Sequence, residues 1–373
     1  MIYHYRLARA LAESEIEGVQ LEWWKPASVT PSGNFTVTAR LGRKTPLKLL
    51  KDKSDFLAHA LRAYDLEIEQ LTPRRISITV NRAKVTTFPT YPTPTECRLF
   101  PQETRAVPLG LDSNGYQIDL PLFDDAGGQV VILAGSPGTG KSSTLSLITY
   151  GLAESNSHIV WFDPKGAADA GRHSDRVEVV RDAINSQSAE ATLDQLLSIC
   201  ERRSSAQGEM LSIAMMKSIV VFVDEWATLG MAGDKRSRDS VQHKLRTLTA
   251  LGRASKITVV LSTQRPTSDN IDVTTRSLAS SRICFAVGDK HASIAALGHM
   301  GAEELNPRTD RGVALVEMGH GPKRVRIFSI PQDLQSRLVA TRGFSTTLSD
   351  IARLDEVSLR EQRVARGDFQ GEN

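Results

Sequence analysis

The sequence predicts an α/β protein in which a domain built on a mostly parallel sheet follows a small α+β domain. Most of the chain alternates short apolar strands with helices, which is typical of a sheet that is buried on both faces. Five prolines lie between residues 88 and 108, and proline lacks an amide donor and disfavours a helix before it. We therefore expect a small domain over 1–87, a proline-rich linker over 88–108, a larger domain over 109–340 and a charged tail over 341–373 that is either a helix or partly disordered.

The small domain is predicted to contain two helices and two strands. A helix-compatible stretch covers 3–17, and apolar residues at helical spacing predict an amphipathic helix over 53–66. Alternating apolar and polar residues predict strands over 35–41 and 75–82. A structural or oligomerisation role is preferred to a catalytic one for this domain.

The larger domain is predicted to be a sheet covered by helices. Its predicted strands are 129–135, 158–163, 218–225, 257–264, 282–288 and 312–318. Its predicted helices are 141–153, 188–203, 238–254 and 291–299. The segment 323–330 is expected to complete an antiparallel hairpin at an edge of this sheet.

The composition excludes several classes of protein. Of the 373 residues, 40% are apolar and 24% are charged, which argues against a collagen-like, disordered or disulfide-stapled chain. No apolar run approaches the ~18 residues of a membrane span, and the N-terminus lacks the apolar core of a signal peptide. Three widely separated cysteines, Cys97, Cys200 and Cys284, fit a reducing cytoplasm and have no metal-binding spacing. The net charge of +3 is too small to indicate nucleic-acid binding by itself.

A glycine-rich loop follows the first strand of the larger domain. Residues 135–142, GSPGTGKS, fit the pattern G-x-x-x-x-G-K-[ST] between an apolar strand and a helix. Its glycines let backbone amides point at phosphates, and the N-terminus of the following helix adds its dipole. Lys141 would reach the β- and γ-phosphates, and Ser142 would ligate Mg²⁺. The predicted ATP-binding residues are Gly135, Ser136, Pro137, Gly138, Thr139, Gly140, Lys141, Ser142 and Ser143.

Two acids end a later apolar strand. Asp224 and Glu225 follow the run IVVFV, at the strand end where ligands bind in open α/β sheets. Asp224 would hold the Mg²⁺ through water, and Glu225 would polarise the attacking water. A carboxylate base beside the metal favours hydrolysis over a kinase reaction or a GTPase switch.

Further polar groups are candidates at the same site. Gln264 follows the next strand, where an amide can position the water; the simpler interpretation is a strand cap. An arginine from an adjacent subunit often completes such a site. Arg282 and Arg253 are the candidates, and each could instead form a surface ion pair. Asp163-Pro164-Lys165 ends another strand, where a structural role is the alternative.

These motifs resemble those of the FtsK/SpoIIIE DNA translocases over most of the chain. The most specific segment is LSTQRPTSDNIDVTTRSLASSRICFAV, residues 261–287. The small domain also resembles the one that precedes the motor in that family and stacks as a second ring. The other similar segments are LGLDSNGYQIDLPL (109–122), the phosphate loop, WFDPKG (161–166), CERR (200–203), VVFVDEWATL (220–229), GAE (301–303) and DRGVAL (310–315).

The resemblance implies a RecA-like P-loop ATPase motor that assembles as a hexameric ring around double-stranded DNA, with ATP between subunits. By position, Arg282 matches the family's trans-acting arginine better than Arg253. Segments 289–293 and 304–311 match the pore loops. Lys290, Arg308 and Arg311 are therefore the candidate DNA contacts, although the family's basic pattern is not fully present there.

Two departures from the family pattern shape the expected role. The chain shows no transmembrane region, and the roughly 33 residues after the motor are too few for a winged-helix DNA reader. A short form of this kind suits plasmid or integrative-element transfer, or chromosome partition, in the cytoplasm. A membrane-bound or relaxosome-type partner would then supply any association with the membrane.

Two alternatives to a DNA translocase remain open. A secretion-type ATPase acting on protein substrates shares the motor, but such relatives usually chain several motors and carry membrane anchors. A degenerate scaffold without hydrolysis is the other alternative. The presence of Lys141, Ser142, Asp224 and Glu225 together argues against the scaffold.

Overall fold

The computed structural model describes the chain except for residues 31–32, 83–104, 153–154, 156, 165–169, 174–176, 181–182, 208–215, 269, 272, 320, 331–346 and 366–373. Contacts divide the chain into two compact units, Met1–Phe88 with Leu111–Ile118, and Pro89–Gly110 with Asp119–Asn373. Residues 88–104 of the predicted linker lie outside the described residues, as does Cys97. A strand begins at Ala106, inside the range predicted as linker, because Val107 and Leu109 are buried.

The first unit is a small antiparallel sheet packed on helices. Its strands have the order β1-β3-β5-β4, and β2 also pairs with β3. Alternate residues of β3, Phe35, Val37, Ala39 and Leu41, are buried in one core with Leu7 of α1, as the period of two in a strand requires. The elements are α1 Ile2–Glu13, β1 Val19–Leu21, β2 Ser28–Val29, β3 Phe35–Leu41, α2 Leu47–Asp52, α3 Ser54–Ala60, β4 Asp65–Thr72 and β5 Arg75–Asn81.

The helix predicted over 53–66 is shorter than expected. α3 ends at Ala60, and β4, which was not predicted, begins at Asp65. Arg62 has a φ of 51°, a left-handed conformation that ends a helix. The prediction extended the helical pattern of apolar residues past the end of α3. Beyond that point, Leu66 and Ile68 alternate with acidic residues, which is the pattern of a strand.

The rest of the described chain alternates strands with helices. Among the described residues, no helix combines the length and the apolar character needed to cross a bilayer. The strands are β6 Ala106–Asp112, β7 Gln117–Pro121, β8 Phe123–Asp124, β9 Gly127–Gly128, β10 Val130–Ala134, β11 His158–Phe162, β12 Glu178–Val180, β13 Ile219–Val223, β14 Ile257–Thr263, β15 Ser281–Cys284, β16 Val313–Glu317 and β17 Lys323–Ile327. The helices are α4 Lys141–Gly151, α5 Ser186–Gln207, α6 Lys235–Leu251, α7 Val273–Leu278, α8 Lys290–Leu297 and α9 Leu348–Ala365.

Ten of these strands form one sheet in the order β12-β11-β13-β14-β10-β15-β16-β17-β6-β7. The strands from β12 to β15 pair in parallel, and β16 pairs antiparallel with both β15 and β17. The predicted mostly parallel sheet is confirmed. The hairpin of β16 and β17 was expected at an edge of the sheet, and this expectation was wrong: β6 and β7 extend the sheet beyond β17. These two strands were not predicted, because they directly follow a proline-rich sequence that predicts a linker.

The charged segment 341–373 contains a helix, which is one of the two alternatives predicted for it, and this helix joins the core of the second unit. α9 places Leu348 and Ile351 in the same buried cluster as the central strands. The side chain of Asp355 pairs with the fully buried Arg203 of α5, with Nε–Oδ2 2.8 Å. Residues 341–346 and 366–373 lie outside the described part of the chain.

Candidate nucleotide-binding site

The phosphate loop connects β10 to α4 at the carboxyl edge of the parallel strands. All five residues of β10 are buried, and Gly135 follows the strand with a φ of 149°. A Cβ at Gly135 would lie 2.6 Å from the Cβ of Phe285, and one at Gly140, whose φ is 136°, would lie 2.8 Å from the Phe285 ring. Phe285 packs so closely on the loop that only glycine fits at these two positions.

The loop leaves backbone donors available to an anion. No side chain caps α4, which begins directly after Gly140. In the described part of the chain, the amides of Gly138 and Gly140 donate no hydrogen bond, and a helix N-terminus carries partial positive charge. The buried Lys141 ammonium donates to the carbonyl oxygens of Gly135 and Ser136. This arrangement is a cradle for phosphate groups.

Strand β14 lies between the strand of the phosphate loop, β10, and the strand of the acidic pair, β13. Ala134 pairs with Thr263, and Val223 pairs with Leu261. The Gly135 amide also donates to the carbonyl oxygen of Thr263, at 3.3 Å. The end of β14 is therefore positioned between the phosphate loop and the two acids.

Glu225 is anchored to the end of β14 by both carboxylate oxygens. Its Oε1 accepts a hydrogen bond from the Thr263 hydroxyl at 2.9 Å, and its Oε2 accepts one from the backbone amide of Gln264 at 3.0 Å. The residue has φ 61° and ψ 66°, a conformation that costs a non-glycine residue free energy and is common at functional sites. Thr263 was not among the predicted site residues, although its hydroxyl at a strand end directly before Gln264 indicates such a contact.

Ser142 and Asp224 carry the oxygen ligands that suit Mg²⁺. Ser142 lies half-buried in the first turn of α4, and Asp224 follows β13 with 2% exposure. No group of three or more His, Cys, Asp or Glu side chains in the described residues could hold a metal by itself. Mg²⁺ binds through one or two protein oxygens together with waters and substrate phosphates, so these two residues fit it as a partner of a bound nucleotide.

The two candidate arginines lie in different places. Arg282 pairs with Ile132 in the middle of β10, so it does not reach the phosphate loop of its own chain by strand position. Its Nε is buried without a hydrogen-bond partner among the described residues, and its Nη1 lies near Gly298. Arg253 precedes β14, at the opposite edge from the phosphate loop, and pairs with Asp124 at 2.8 Å. That pair matches the surface interpretation of Arg253.

Two other residues singled out from the sequence are buried near this edge. Asp163 follows β11 with 1% exposure and accepts a 3.4 Å hydrogen bond from the Ala170 amide; Lys165 lies outside the described residues. Cys284 ends β15, and burial raises its pKa to about 12, with the charge of Lys141 opposing the shift. Cys284 is thus a neutral thiol of the core, and Cys200 is buried as well.

The segment after β15 contacts the phosphate loop through its backbone. The Ser136 amide donates to the carbonyl oxygen of Ala286 at 2.8 Å. Four residues further along, Lys290 begins α8 with an exposed side chain, behind the capping carboxylate of Asp289. The start of α8 is therefore four residues away from a backbone contact with the phosphate loop.

A second segment contacts the same loop from the other side. The loop of residues 306–312 carries Arg308 and Arg311, both exposed. Its last amide, that of Gly312, donates to the carbonyl oxygen of Thr139 at 2.8 Å. The two residues that bond to the phosphate loop thus lie close to the segments predicted to contact DNA: Ala286 lies three residues before 289–293, and Gly312 directly follows 304–311.

Comparisons with known proteins agree with this architecture. The model of the ATPase family associated with various cellular activities (AAA) matches residues 131–287. The DNA translocase FtsK of Lactiplantibacillus plantarum is 28% identical over 323 residues, which is 79% of this chain and 39% of the relative. The chain thus spans about two fifths of the length of that relative.

Two solved structures share the fold. The pCW3 conjugation coupling protein TcpA, in its monomer form with ATPγS, superposes with a TM-score of 0.60 at 19% identity, covering 94% of this chain and 98% of TcpA. The cytoplasmic domain of the Type VII secretion ATPase EccC of Thermomonospora curvata has a TM-score of 0.56 at 20% identity, covering 69% of this chain and 33% of that domain. At these identities the likeness concerns the fold alone.

The phosphate loop, the acidic strand and the strand between them form one site, and both the family match and the relatives cover it. The resemblance predicted from the sequence motifs is confirmed. The chain has the fold of a P-loop ATPase, and over most of its length it is similar to the FtsK DNA translocases.

Proposed function

We propose that this chain is an ATP-driven motor that moves double-stranded DNA. The observation that carries the proposal is the pair of backbone hydrogen bonds, each 2.8 Å long, from Ser136 to Ala286 and from Gly312 to Thr139. They connect the phosphate loop to residues that lie within three positions of the segments carrying Lys290, Arg308 and Arg311. Loss of the γ-phosphate can then move charged surface loops, which is what a motor on a polyanion requires.

The charges on these loops suit binding to the DNA backbone at any sequence rather than recognition of a particular sequence. Lys290, Arg308 and Arg311 are exposed, and none of them forms an ion pair among the described residues. Lysine and arginine contacts to phosphate hold a duplex without reading its bases. A motor that must pass every sequence needs contacts of this kind.

The roles of the site residues follow from their positions. Lys141 and the loop amides bind the β- and γ-phosphates, and Ser142 and Asp224 hold the metal. Mg²⁺, when bound, neutralises charge on the phosphates. Glu225, oriented from the end of β14, accepts the proton of the attacking water, and Gln264 is the neighbouring group that senses the γ-phosphate.

The assembly belongs to the same proposal. Arg282 of one subunit would complete the site of the next, since by its strand position it does not reach the phosphate loop of its own chain. A ring of six subunits around the duplex provides such composite sites. The motor would act in the cytoplasm, in plasmid or mobile-element transfer or in chromosome partition, with a membrane-bound or relaxosome-type partner.

ATP hydrolysis with and without linear duplex DNA tests the proposal. We expect duplex to stimulate the wild-type chain and to bind with an affinity that falls steeply with salt and varies little with base composition. Substituting Lys290, Arg308 and Arg311 together by alanine should reduce the stimulation. It should also lower the salt dependence by up to about three contacts.

The control replaces other exposed cations of the motor. The double variant Lys235→Ala/Arg236→Ala changes the start of α6, where both side chains are exposed, and should be stimulated like wild type. Equal stimulation of the triple variant and wild type would contradict the assigned contacts. Loss of stimulation in the control variant would move them to the start of α6.

The second candidate function is a secretion-type ATPase that acts on proteins. The structural likeness to EccC favours it, but that likeness is to the fold that both functions share. The two candidates differ in the stimulating ligand. Hydrolysis that ignores duplex DNA and rises with an exported polypeptide would favour the secretion function.

A further inference from the structure

The outer face of the first unit's sheet holds a group of cations away from the core. Arg40 of β3 and Arg75 of β5 are directly paired across the two strands, on the face opposite the buried apolar residues. Like charges placed opposite each other destabilise a sheet. This arrangement needs a compensating group, and Glu22 supplies one.

Glu22 organises the cluster from a buried position. Its side chain is 1% exposed, with Arg40 Nε 2.9 Å from Oε1, Arg75 Nη2 2.6 Å from Oε2 and Lys25 Nζ 3.7 Å from Oε2. Although burial favours the neutral acid, hydrogen bonds from Arg75 and Arg40 outweigh it and lower the pKa of Glu22 to about 2. One ionised carboxylate thus holds three cations in place, so the cluster keeps an excess of positive charge.

The cations retain donors for a further anion. Arg40 donates to Glu22 only through Nε, so its two terminal amino groups have no partner among the described residues, and its side chain is 60% exposed. The amino groups of a guanidinium form a planar fork that matches phosphate. Three more exposed cations on neighbouring turns of the same unit form no ion pair within the described chain: Arg43, Lys44 and Arg74.

An aromatic ring lies beside this fork. The turn that begins at Glu22 is closed by a 2.9 Å hydrogen bond from the Lys25 amide to the Glu22 carbonyl oxygen, and it presents Trp24 with 69% exposure. The Arg40 guanidinium carbon lies 5.8 Å from the Trp24 ring centroid. A large exposed indole next to positioned cations offers stacking and phosphate binding at one place.

We propose that this Trp24–Arg40 surface, formed by Glu22, Trp24, Lys25, Arg40 and Arg75, binds single-stranded nucleic acid. An unpaired base would stack on Trp24, and the adjacent phosphates would be bound by Arg40 and Lys25. A duplex hides its base faces and would use only the cations, whereas base–aromatic stacking is a main source of affinity for single strands. The site belongs to the first unit and does not depend on what the motor translocates.

Binding of a labelled oligothymidylate of about 16 nucleotides to the full chain, measured by fluorescence anisotropy without ATP, tests this site. We expect Trp24→Ala to raise the Kd about tenfold or more, because stacking on one base is lost, and Trp24→Phe to keep most of the affinity. Arg40→Gln should raise the Kd and lower the salt dependence by about one contact. Arg40→Lys, which keeps the charge but loses the fork, should fall between Arg40→Gln and wild type.

The matched control is Phe56→Ala, which removes an aromatic ring of 61% exposure from α3 of the same unit and should bind like wild type. Circular dichroism checks that each variant is folded.

Wild-type affinity in Trp24→Ala and Arg40→Gln would overturn the proposal, as would loss of binding in the Lys290, Arg308 and Arg311 triple variant. Binding to phosphatidylglycerol vesicles without binding to the oligonucleotide would overturn it in favour of a membrane surface. Because the assay contains no ATP, its result is independent of the proposed motor function. Either proposal can fail while the other holds.

Discussion

At the scale of single residues, two neighbours hold the carboxylate of Glu225, the candidate general base for hydrolysis. Glu225 adopts a left-handed backbone conformation, and its carboxylate is bound by the hydroxyl of Thr263 and the amide of Gln264. This amide belongs to the backbone of Gln264, so it remains when Gln264 is replaced by any residue other than proline. The Thr263 hydroxyl is therefore the contact that a substitution can remove.

We expect Thr263→Val to lower kcat for ATP about tenfold, because losing one orienting hydrogen bond to a carboxylate costs about 1–2 kcal/mol. The KM for ATP should change little, since Thr263 does not belong to the phosphate loop. Thr263→Ser should restore turnover, because it returns the hydroxyl. Steady-state kinetics on the three proteins check this, and a Thr263→Val rate equal to or above wild type would contradict the positioning role.

The site residues were predictable to different degrees. The phosphate loop and the acids Asp224 and Glu225 lie where strand order and a local pattern require them, because the carboxyl ends of parallel strands share one edge. The partner role of Thr263 and the contact of Gly312 with Thr139 were not predicted. They depend on which strands become neighbours, and no local pattern in the sequence contains that information.

At the level of secondary-structure elements, helix α9 is attached to the rest of the second unit by a buried ion pair. Arg203 is fully buried, and Asp355 binds it through two hydrogen bonds of 2.8 and 3.3 Å. Arg203 also donates to the carbonyl oxygen of Ser255 at 2.6 Å, so α5, α9 and the turn before β14 meet at one guanidinium. Removing the carboxylate would leave a buried cation without its counter-charge.

Asp355→Ala should therefore lower the free energy of unfolding by about 3 kcal/mol. The neighbouring pair of Arg202 and Glu356 has a similar N–O distance of 2.7 Å but is partly exposed, so Glu356→Ala should cost less than about 1 kcal/mol. Urea unfolding of the two variants compares them. Equal losses would show that burial does not govern the strength of the pair.

The elements themselves were predicted well where they are apolar and buried on both faces. Strands β10, β11, β13 and β14 were found within one or two residues, because continuous apolar runs have few alternatives in a sheet. β4 was missed, and for α9 a helix was only one of two alternatives, because each element buries only one side and carries many charges. For α9, only the tertiary contact with Arg203 explains why a charged segment packs against the core.

At the level of the whole molecule, the proposed ring depends on Arg282 reaching a neighbour. If it does, mixing Arg282→Ala subunits with Glu225→Gln subunits creates composite sites in which both residues are intact. In rings mixed at random in equal amounts, about a quarter of head-to-tail interfaces would be intact. We therefore expect hydrolysis to recover toward about a quarter of the wild-type rate. No recovery, in rings shown by labelling to be mixed, would exclude Arg282 as the trans-acting group.

The central claim is that hydrolysis at this site moves the chain along duplex DNA. Displacement of a third strand from a linear duplex by the purified protein tests it most directly, with Glu225→Gln as the variant that keeps the phosphate loop intact. We predict that ATP releases the third strand with wild type and not with Glu225→Gln. Hydrolysis stimulated by the duplex without release of the third strand, or release by Glu225→Gln at the wild-type rate, would contradict the account.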